Sequence, residues 1–457
     1  MLKDLLSTHK CDHAELRAQI NTERAVAILA GNMVGNVQST QSGVCARMYK
    51  GGTYGFASAA EYSDTSVKNC LTAASENAEF MDKHVSKGAS LLPSLPKSKV
   101  ELNRPIVEAP SQSILIDFAK ELDDLVQQKY KHLTSRIVSV QGLDIEKLMV
   151  VSEGADSHFY QPRSIIYVGM TAVDNNGTPV DLYESFGGLG EFDVLFTDPK
   201  LLLPKLDELY NHVMALREAV YAKAGTHKCI LDPQLGGILS HEAIGHTVEA
   251  DLVLGGSVAA FNLNKQVASE MVTMIDFAHT ALGEKCPLPV YVDDEGVVAQ
   301  DAVLVENGIL KGYMHNRESA QHFGVEPTGN ARAFTFSDEP LVRMRNTAIL
   351  PGKDKLADMI ASIDNGYYLV KTSNGQADTT GEFTFSVNLG YEINNGKLGK
   401  AIKETSISGI AFEMLKTVDM LSDDMHWDCA GFCGKKQAMT TGMGGPALRC
   451  DVNIGGR

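Results

Sequence analysis

Two histidines with a glutamate between them occupy the stretch Gly236 to Val253, G-G-I-L-S-H-E-A-I-G-H-T-V-E-A-D-L-V. His241 and His246 are five residues apart, so a regular α-helix would turn their rings roughly 140° away from each other. Both rings reach one ion only if the helix loosens into a π-type turn or ends near Gly245. Glycine at that position favours either distortion because it has no Cβ to clash. The chain must build an irregular helix here if the two histidines act together.

This motif carries the chemistry of a zinc site. Two imidazoles and a carboxylate can hold zinc and activate water, and a catalytic site takes three protein ligands and leaves one position open. A cysteine near the C-terminus suits the third place, and the candidates are Cys429, Cys433 and Cys450. The alternative is that the histidines form a surface or hydrogen-bonded cluster and the cysteines are small core residues. Glu242 points about 100° from His241 on a helix, which suits proton transfer better than metal binding.

A second polar group lies in G-Y-M-H-N-R-E-S-A at 312–320. Tyr313, His315 and Arg317 alternate, so on a strand they would share one face. That face would offer a phenol, an imidazole and a guanidinium to a substrate carbonyl or carboxylate. The alternative is that Arg317 pairs with one of the many acidic residues.

Length and charge limit the fold and the partners. The 457 residues exceed one compact core and predict two or three domains. A net charge of −16 argues against a surface that binds nucleic acid directly. No stretch approaches the roughly 18 to 20 apolar residues of a membrane span, and the N-terminus around Asp4 does not resemble a secretory signal. The eight cysteines, mostly far apart, fit reduced thiols, so we expect a cytoplasmic protein without a membrane partner.

The first part of the chain predicts helices and a meandering sheet. Apolar periodicity favours helices over 12–32, 63–84, 113–130 and 199–224. Alternation predicts a hairpin at 42–58 that turns at Gly51-Gly52, and a meander over 136–186 with a tight turn at 174–177. Four prolines mark an extended connector at about 91–110. We expect this N-terminal α+β domain to cover residues 1–225.

The second part, 226–457, predicts a β-rich domain that carries the metal helix. A short strand over Lys228 to Asp232 leads into that helix, and the Asn-Gly pairs at 307–308 and 395–396 predict hairpins. The glycine-rich stretch from Asp428 onward is expected to be a loop. The predicted fold class is therefore α+β: an N-terminal α/β domain with a meander sheet, and a β-rich C-terminal domain.

Taken in order, these motifs resemble the TldD/PmbA family of metallopeptidases, in its TldD-like, metal-bearing branch. The motifs are A-R-M-Y-K-G-G-T-Y-G-F-A-S at 46–58, H-E-A-I-G-H at 241–246, D-D-E-G at 293–296, V-E-N-G-I-L-K-G-Y-M-H at 305–315, T-G-N-A-R at 328–332, C-G-K at 433–435 and G-M-G-G-P-A-L-R at 442–449. The resemblance covers most of the chain. Each motif alone is weak evidence for the family, but the whole set in this order is specific.

The resemblance implies a zinc ion held by His241, His246 and one cysteine, which by motif position is Cys433. It also implies that the substrates are flexible or unfolded peptides and that some members remove leaders from small peptides. From its place on the helix, we expect Glu242 to act as general base and later as proton donor. Partners are expected to be the peptide substrate and a second subunit, in a homodimer or in a heterodimer with a PmbA-like chain that lacks the histidine motif.

The same family has been labelled a modulator of DNA gyrase, which makes a non-catalytic regulatory binding protein the alternative function. The sequence departs from the usual family pattern at A-R-A-F-T-F-S-D, 331–338, and in having Cys429 and Cys450.

Overall fold

A computed structural model of the chain describes residue 6 and residues 12–85, 91–102 and 109–455. The segment around Asp4 and part of the expected connector, 103–108, lie outside the described residues. Helices and strands are mixed, and two sheet-containing halves pack together, so the expected α+β class is confirmed. Among the described helices, none combines the length and apolar composition that a membrane crossing needs.

The N-terminal half is one large sheet. Strand order is β3-β2-β1-β5-β6-β4, and β7 also pairs with β6. The hairpin at Gly51-Gly52 and the meander are confirmed, and the connector contributes a short strand parallel to β6. The strands are β1 (His13–Leu29), β2 (Asn32–Lys50), β3 (Thr53–Ala59), β4 (Lys99–Leu102), β5 (Ser135–Val151), β6 (Asp156–Val173) and β7 (Pro179–Leu189).

The helix predicted over 12–32 is wrong, because this segment is the central strand β1. Its polar residues recur at every second position from His13 to Glu23, and this period of two outweighs the approximate helical stripe. One face packs Leu16 into the core beneath the first helix, while Glu15 and Arg17 on the other face are buried against the C-terminal half. A strand buried on both faces does not show the usual apolar alternation.

Helices cover one face of this sheet. They are α1 (Asp64–His84), α2 (Gln112–Lys129), α3 (Phe192–Leu195) and α4 (Leu203–Leu216), the last preceded by a 3-10 turn at Pro199–Leu202. The first two confirm the predicted helices at 63–84 and 113–130 within a residue or two. The fourth ends earlier than expected, because Val220 leaves the helix to form a backbone bridge to Ile402.

The second half consists of short strands and short helices. The strands are β8 (Gly225–Leu231), β9 (Met274–Phe277), β10 (Thr280–Ala281), β11 (Glu284–Lys285), β12 (Ala302–Glu306), β13 (Ile309–Leu310), β14 (Ala331–Arg332), β15 (Leu341–Val342), β16 (Asn346–Ile349), β17 (Asn365–Ala377), β18 (Glu382–Asn394), β19 (Lys397–Ile402), β20 (Thr405–Ile410), β21 (Met420–Leu421), β22 (His426–Asp428), β23 (Phe432–Lys435), β24 (Gln437–Thr440), β25 (Gly442–Gly445) and β26 (Leu448–Gly455). The helices are α5 (Pro233–Leu239), α6 (Ala250–Leu254), α7 (Arg317–Phe323), α8 (Leu356–Ala361) and α9 (Ala411–Lys416), with a π segment at Ser240–Gly245 and 3-10 turns at His246–Val248 and Val258–Phe261.

Two sheets organise this half around α5. Strands β17, β8, β26, β20 and β18 pair in that order, and β18 pairs back with β17, which closes a barrel. The second sheet has the order β13-β12-β9-β16-β25-β22. Both Asn-Gly hairpins are confirmed, at the β12–β13 and β18–β19 turns.

The prediction of a loop from Asp428 onward is wrong, because this stretch supplies β23 to β26. Its glycines allow close packing: a Cβ added at Gly445 would lie 2.9 Å from the backbone of Gly236 in α5. Glycine here marks an approach of strand to helix.

Buried ion pairs join the two halves. The Arg47 guanidinium lies 2.8 Å from Glu295, and the Lys147 ammonium lies 2.8 Å from Asp294. All four side chains are buried, so each charge depends on its partner across the interface. The apolar core also crosses the interface, since Leu389 of the barrel packs with the helices of the first half. The ion pairs and this apolar packing hold the two halves together.

Candidate metal centre

Both histidines lie on an irregular helix that follows β8. Asp232 caps α5, and after about two turns the helix widens into the π segment Ser240–Gly245. The backbone N–H of His246 donates to the carbonyl oxygen of His241, five residues earlier, where a regular helix would use the fourth. The ring centroids of the two histidines are 5.2 Å apart. The π-type loosening predicted from the spacing is confirmed.

Packing requires glycine directly before His246. A Cβ added at Gly245 would lie 2.1 Å from the Sδ atom of Met344 and 3.1 Å from the carbonyl oxygen of Ser240. Met344 is fully buried, so its sulfur cannot move aside without disturbing the core. The π segment and the neighbouring chain therefore fit together only with glycine at this position.

We expect Gly245→Ala to lower the free energy of unfolding by about 1–3 kcal/mol, the usual cost of overpacking a core. Urea unfolding followed by circular dichroism measures this loss. Gly142→Ala is a matched control, because the nearest atom to its added Cβ is an Arg24 guanidinium nitrogen 3.9 Å away. Equal destabilisation of the two variants would contradict the prediction.

Cys433 comes from a hairpin near the C-terminus. Strands β23 and β24 pair Cys433 with Met439, and the buried Arg343 guanidinium donates to the Cys433 carbonyl oxygen at 2.9 Å. This holds the Cys433 sulfur 3.3 Å from Nε2 of His246. Cys429 faces the Gly187 carbonyl instead, and Cys450 is opposite Cys229 in the barrel.

The three donor atoms fit a metal ion. One ligand atom each from His241, His246 and Cys433 lies within 4.8 Å of the others. A tetrahedral zinc ion with bonds of about 2.0–2.3 Å separates neighbouring ligand atoms by roughly 3.3–3.6 Å. Imidazole and thiolate donors are those that zinc takes in proteins, and three of them leave one position open. These residues could therefore hold a zinc ion of the catalytic type.

The Glu242 carboxylate lies beside this donor set. Its oxygens are 4.0 Å from Nε2 of His241 and 3.8 Å from Nε2 of His246, beyond hydrogen-bonding distance of either ring. The side chain is only 29% exposed, and it lines a cleft of about 450 Å³. A larger hollow of about 860 Å³ lies elsewhere, around Asp174 and Lys403, and Glu242 does not line it.

Charge stabilises the thiolate form of Cys433. Burial alone would raise the pKa of the Cys433 thiol, but hydrogen bonds and charge from His241 and His246 outweigh burial and lower this pKa to about 5. Burial alone would lower the pKa of His246, but hydrogen bonds to Cys433 and Glu249 raise it to about 10. Without metal, Cys433 and His246 thus favour a thiolate–imidazolium pair.

Sequence reasoning missed Glu249. Its Oε2 atom accepts from Nδ1 of His246 at 2.8 Å and lies 3.3 Å from the Lys435 ammonium, and its side chain is fully buried. This contact directs Nε2 of His246 toward Cys433, in the carboxylate–histidine arrangement common at metal sites. The signal in the sequence is the H-x-x-E spacing from His246, which places both side chains on one face of a helical turn.

Tyr313, His315 and Arg317 do not lie together on one strand, because Arg317 is the first residue of α7. The Tyr313 hydroxyl donates to the Ala259 carbonyl oxygen, and the His315 ring contacts Ser319. Each of these contacts lies within the C-terminal half, and His315 is buried. Substrate binding by these three residues stays a prediction.

Arg317 in particular serves the interface between the halves. Its guanidinium lies 2.7 Å from Glu153 and hydrogen-bonds to the His13 ring, and its side chain is 1% exposed. The alternative that Arg317 pairs with an acidic residue is therefore confirmed, and the partner is Glu153.

Family models match two parts of the chain. Residues 224–456 match the model described as the PmbA/TldA metallopeptidase C-terminal domain. Residues 14–78 match the model described as PmbA/TldA metallopeptidase domain 1. The longer match includes all three candidate ligands and Glu242.

Curated relatives agree with these models, and a solved structure shares the fold. A metalloprotease of Methanothermobacter thermautotrophicus is 31% identical over 461 residues, which cover 98% of this chain and 96% of the relative. A zinc metalloprotease TldD homolog of Saccharolobus solfataricus is 37% identical over 51% of this chain and 52% of its own length. A Thermotoga maritima structure, described as a proposed modulator of a DNA gyrase, superposes with a TM-score of 0.78 and 18% identity over 99% of both chains. At that identity, the likeness shows the fold alone.

Proposed function

Because this chain belongs to the PmbA/TldD family of metallopeptidases, we propose that it is a zinc-dependent peptidase that hydrolyses flexible or unfolded peptides. The observation that carries the proposal is the meeting of His241, His246 and Cys433 beside the Glu242 carboxylate. The word zinc in the name of the Saccharolobus solfataricus relative supports the choice of metal, as does the mixed nitrogen and sulfur donor set.

We propose that His241, His246 and Cys433 bind the ion and that Glu242 is the general base. A bound zinc ion supplies Lewis-acid chemistry, by polarising a carbonyl group and making water acidic near neutral pH. Glu242 then accepts a proton from the attacking water and gives it to the amine nitrogen as the peptide C–N bond breaks. Glu249 keeps the His246 ring in the orientation that ligation needs.

The edge of β17 that β8 covers only in part supports a peptide as the substrate. Strand β8 pairs with β17 only from Tyr367 to Leu369 before the chain enters α5. No strand in the described part of the chain other than β8 pairs with this edge of β17, and Gly375 of β17 lines the same cleft as Glu242. An extended peptide that adds to this edge binds through its backbone, whatever its sequence. A complex with a peptide inhibitor that makes no backbone pairing to β17 would exclude this binding mode.

We further propose a cytoplasmic dimer, either of two copies or with a PmbA-like subunit. The outer edge of β2 supports it, because β3 pairs only with residues 44–50 and the preceding residues expose Met33, Val34 and Val37. The seven cysteines of the described residues are all free thiols, as expected in a reducing compartment. A monomer in analytical ultracentrifugation at micromolar concentration would argue against the dimer.

We expect hydrolysis of unstructured peptides to depend on the bound metal. Dialysis of the purified protein against a strong chelator should abolish cleavage of a fluorogenic peptide, and one equivalent of zinc should restore it, since three ligands hold one ion. Casein and a short quenched-fluorescence peptide are suitable substrates. Full activity in the chelated protein, with the metal shown to be absent, would contradict the proposal.

The alternative is a non-catalytic regulatory protein that modulates DNA gyrase. Its support is the description of the Thermotoga maritima structure as a gyrase modulator. That structure has the same fold as this chain. A protein that shows no peptide cleavage after zinc addition, yet binds purified gyrase, would favour this alternative over the peptidase.

A further inference from the structure

The cleft beside Glu242 is built from both halves of the chain. Strands β6 and β7 of the N-terminal sheet form one wall, and the metal-bearing helix with the C-terminal strands forms the other. Its volume of about 450 Å³ falls in the range of sites that bind small ligands. The cleft therefore has room for a substrate side chain next to the candidate metal site.

The strand register presents two tyrosines to this cleft. Tyr167 pairs directly with Ser185, and Gly169 pairs with Tyr183. Opposite residues in an antiparallel pair lie on the same face, as do residues two apart, so Tyr167 and Tyr183 share the face toward Glu242. The N-terminal sheet thus supplies aromatic surface to a site whose charged groups come from the C-terminal half.

The two tyrosines differ in exposure and in the hydrogen bonds of their hydroxyl groups. The Tyr167 hydroxyl donates to the Ala430 carbonyl oxygen at 2.6 Å, and this bond fixes its ring. Tyr183 is 41% exposed, and its hydroxyl has no hydrogen-bond partner within the described residues. The Tyr183 ring is therefore the aromatic surface that a ligand in the cleft can cover.

The opposite wall is apolar with acidic groups at its edge. Ile238 and Met443 are half-buried and line the cleft. The Asp428 carboxylate also lines it, but one of its oxygens accepts from the Ala430 N–H at 2.9 Å and the other from the Gln234 amide at 3.1 Å. Because both oxygens already accept hydrogen bonds, Asp428 offers a ligand its negative charge and not a free acceptor. This charge repels an acidic ligand.

We infer that this cleft is the subsite for the peptide side chain next to the scissile bond, and that Tyr183 selects large apolar or aromatic side chains there. The inference rests on the proposed peptidase function, because Glu242 is the group that links the cleft to the scissile bond. A large apolar side chain covers the exposed Tyr183 ring and contacts Ile238 and Met443. An aspartate or glutamate in the same place meets the Asp428 carboxylate, and no Lys or Arg is among the described residues that line the cleft.

The first test measures cleavage of a peptide series that varies one residue on either side of the scissile bond among Phe, Leu, Ala and Glu. For one of the two sides, we expect kcat/KM for Phe to exceed that for Ala by roughly tenfold or more, the usual gain from burying a large apolar side chain. Glu should be cleaved more slowly than Ala. Tyr183→Ala should remove most of the Phe preference, and Tyr183→Phe should keep it.

A second test measures binding without cleavage. Fluorescence anisotropy with labelled peptides of the same series gives Kd for Glu242→Gln and for Glu242→Gln combined with Tyr183→Ala. The second change should weaken binding of the Phe peptide by roughly tenfold and binding of the Ala peptide much less. Tyr62→Ala is the matched control, since Tyr62 is 50% exposed and lies before α1, outside the cleft lining. Circular dichroism checks that each variant is folded.

The outcomes separate the two proposals. If no peptide is bound or cleaved after zinc addition, the peptidase function is wrong, and the subsite that rests on it is wrong too. If peptides are cleaved without a Phe preference, or if Tyr183→Ala leaves that preference unchanged, the subsite is overturned and the peptidase function stands.

Discussion

Glu242→Gln should lower kcat for peptide hydrolysis by about two to four orders of magnitude while the metal stays bound, which is the largest effect we expect from one substitution. The amide has the size of the carboxylate but cannot accept a proton from water at neutral pH. General-base catalysis contributes about 10²–10⁴-fold to a rate, so kcat should fall by that factor. Because Glu242 lies 3.8 Å or more from both imidazole nitrogens, its loss should leave the donor set intact.

Two measurements check this prediction on the same preparation. Steady-state cleavage of a fluorogenic peptide gives kcat and KM, and mass spectrometry of the metal gives its content per chain. We expect KM to change little, because Glu242 acts on the water more than on the peptide. Activity close to that of the wild type would remove Glu242 from the catalytic role, and loss of the metal would make it a ligand.

Cys433→Ser should lose the metal, while Cys429→Ser should keep it. The Cys433 sulfur lies 3.3 Å from Nε2 of His246 and is held among the candidate ligands. A serine hydroxyl stays protonated near neutral pH and is a poor zinc ligand. Cys429 lies four residues earlier, directs its thiol to the Gly187 carbonyl, and has a pKa raised to about 11 by burial.

Metal content after zinc reconstitution measures this difference. We expect about one zinc per chain in the wild type and in Cys429→Ser, and close to none in Cys433→Ser. Chelator should lower the unfolding temperature of the first two proteins and leave that of Cys433→Ser unchanged, since a ligand that binds only the folded state stabilises it. Retention of zinc by Cys433→Ser would show that another group completes the site.

Local patterns predicted the parts of the fold that depend on neighbouring residues. The Asn-Gly hairpins, the helix at Asp64–His84 and the π-type loosening before His246 follow from turn chemistry, periodicity and the five-residue spacing. Where the prediction was wrong, tertiary contacts had outweighed the local pattern. Strand β1 buries a charged face against the other half, and the C-terminal glycines serve close packing with α5.

The sequence by itself determined that His241 and His246 can reach one ion only on a distorted helix, because that is a matter of backbone geometry over five residues. It left three cysteines as equal candidates, and only the resemblance to a family favoured Cys433. The tertiary structure decided which cysteine meets the histidines, since Cys433 and His246 are 187 residues apart. It also revealed Glu249 behind His246, and Tyr183 in the cleft that Glu242 lines. Such meetings depend on how distant segments pack, and no local period or spacing records them.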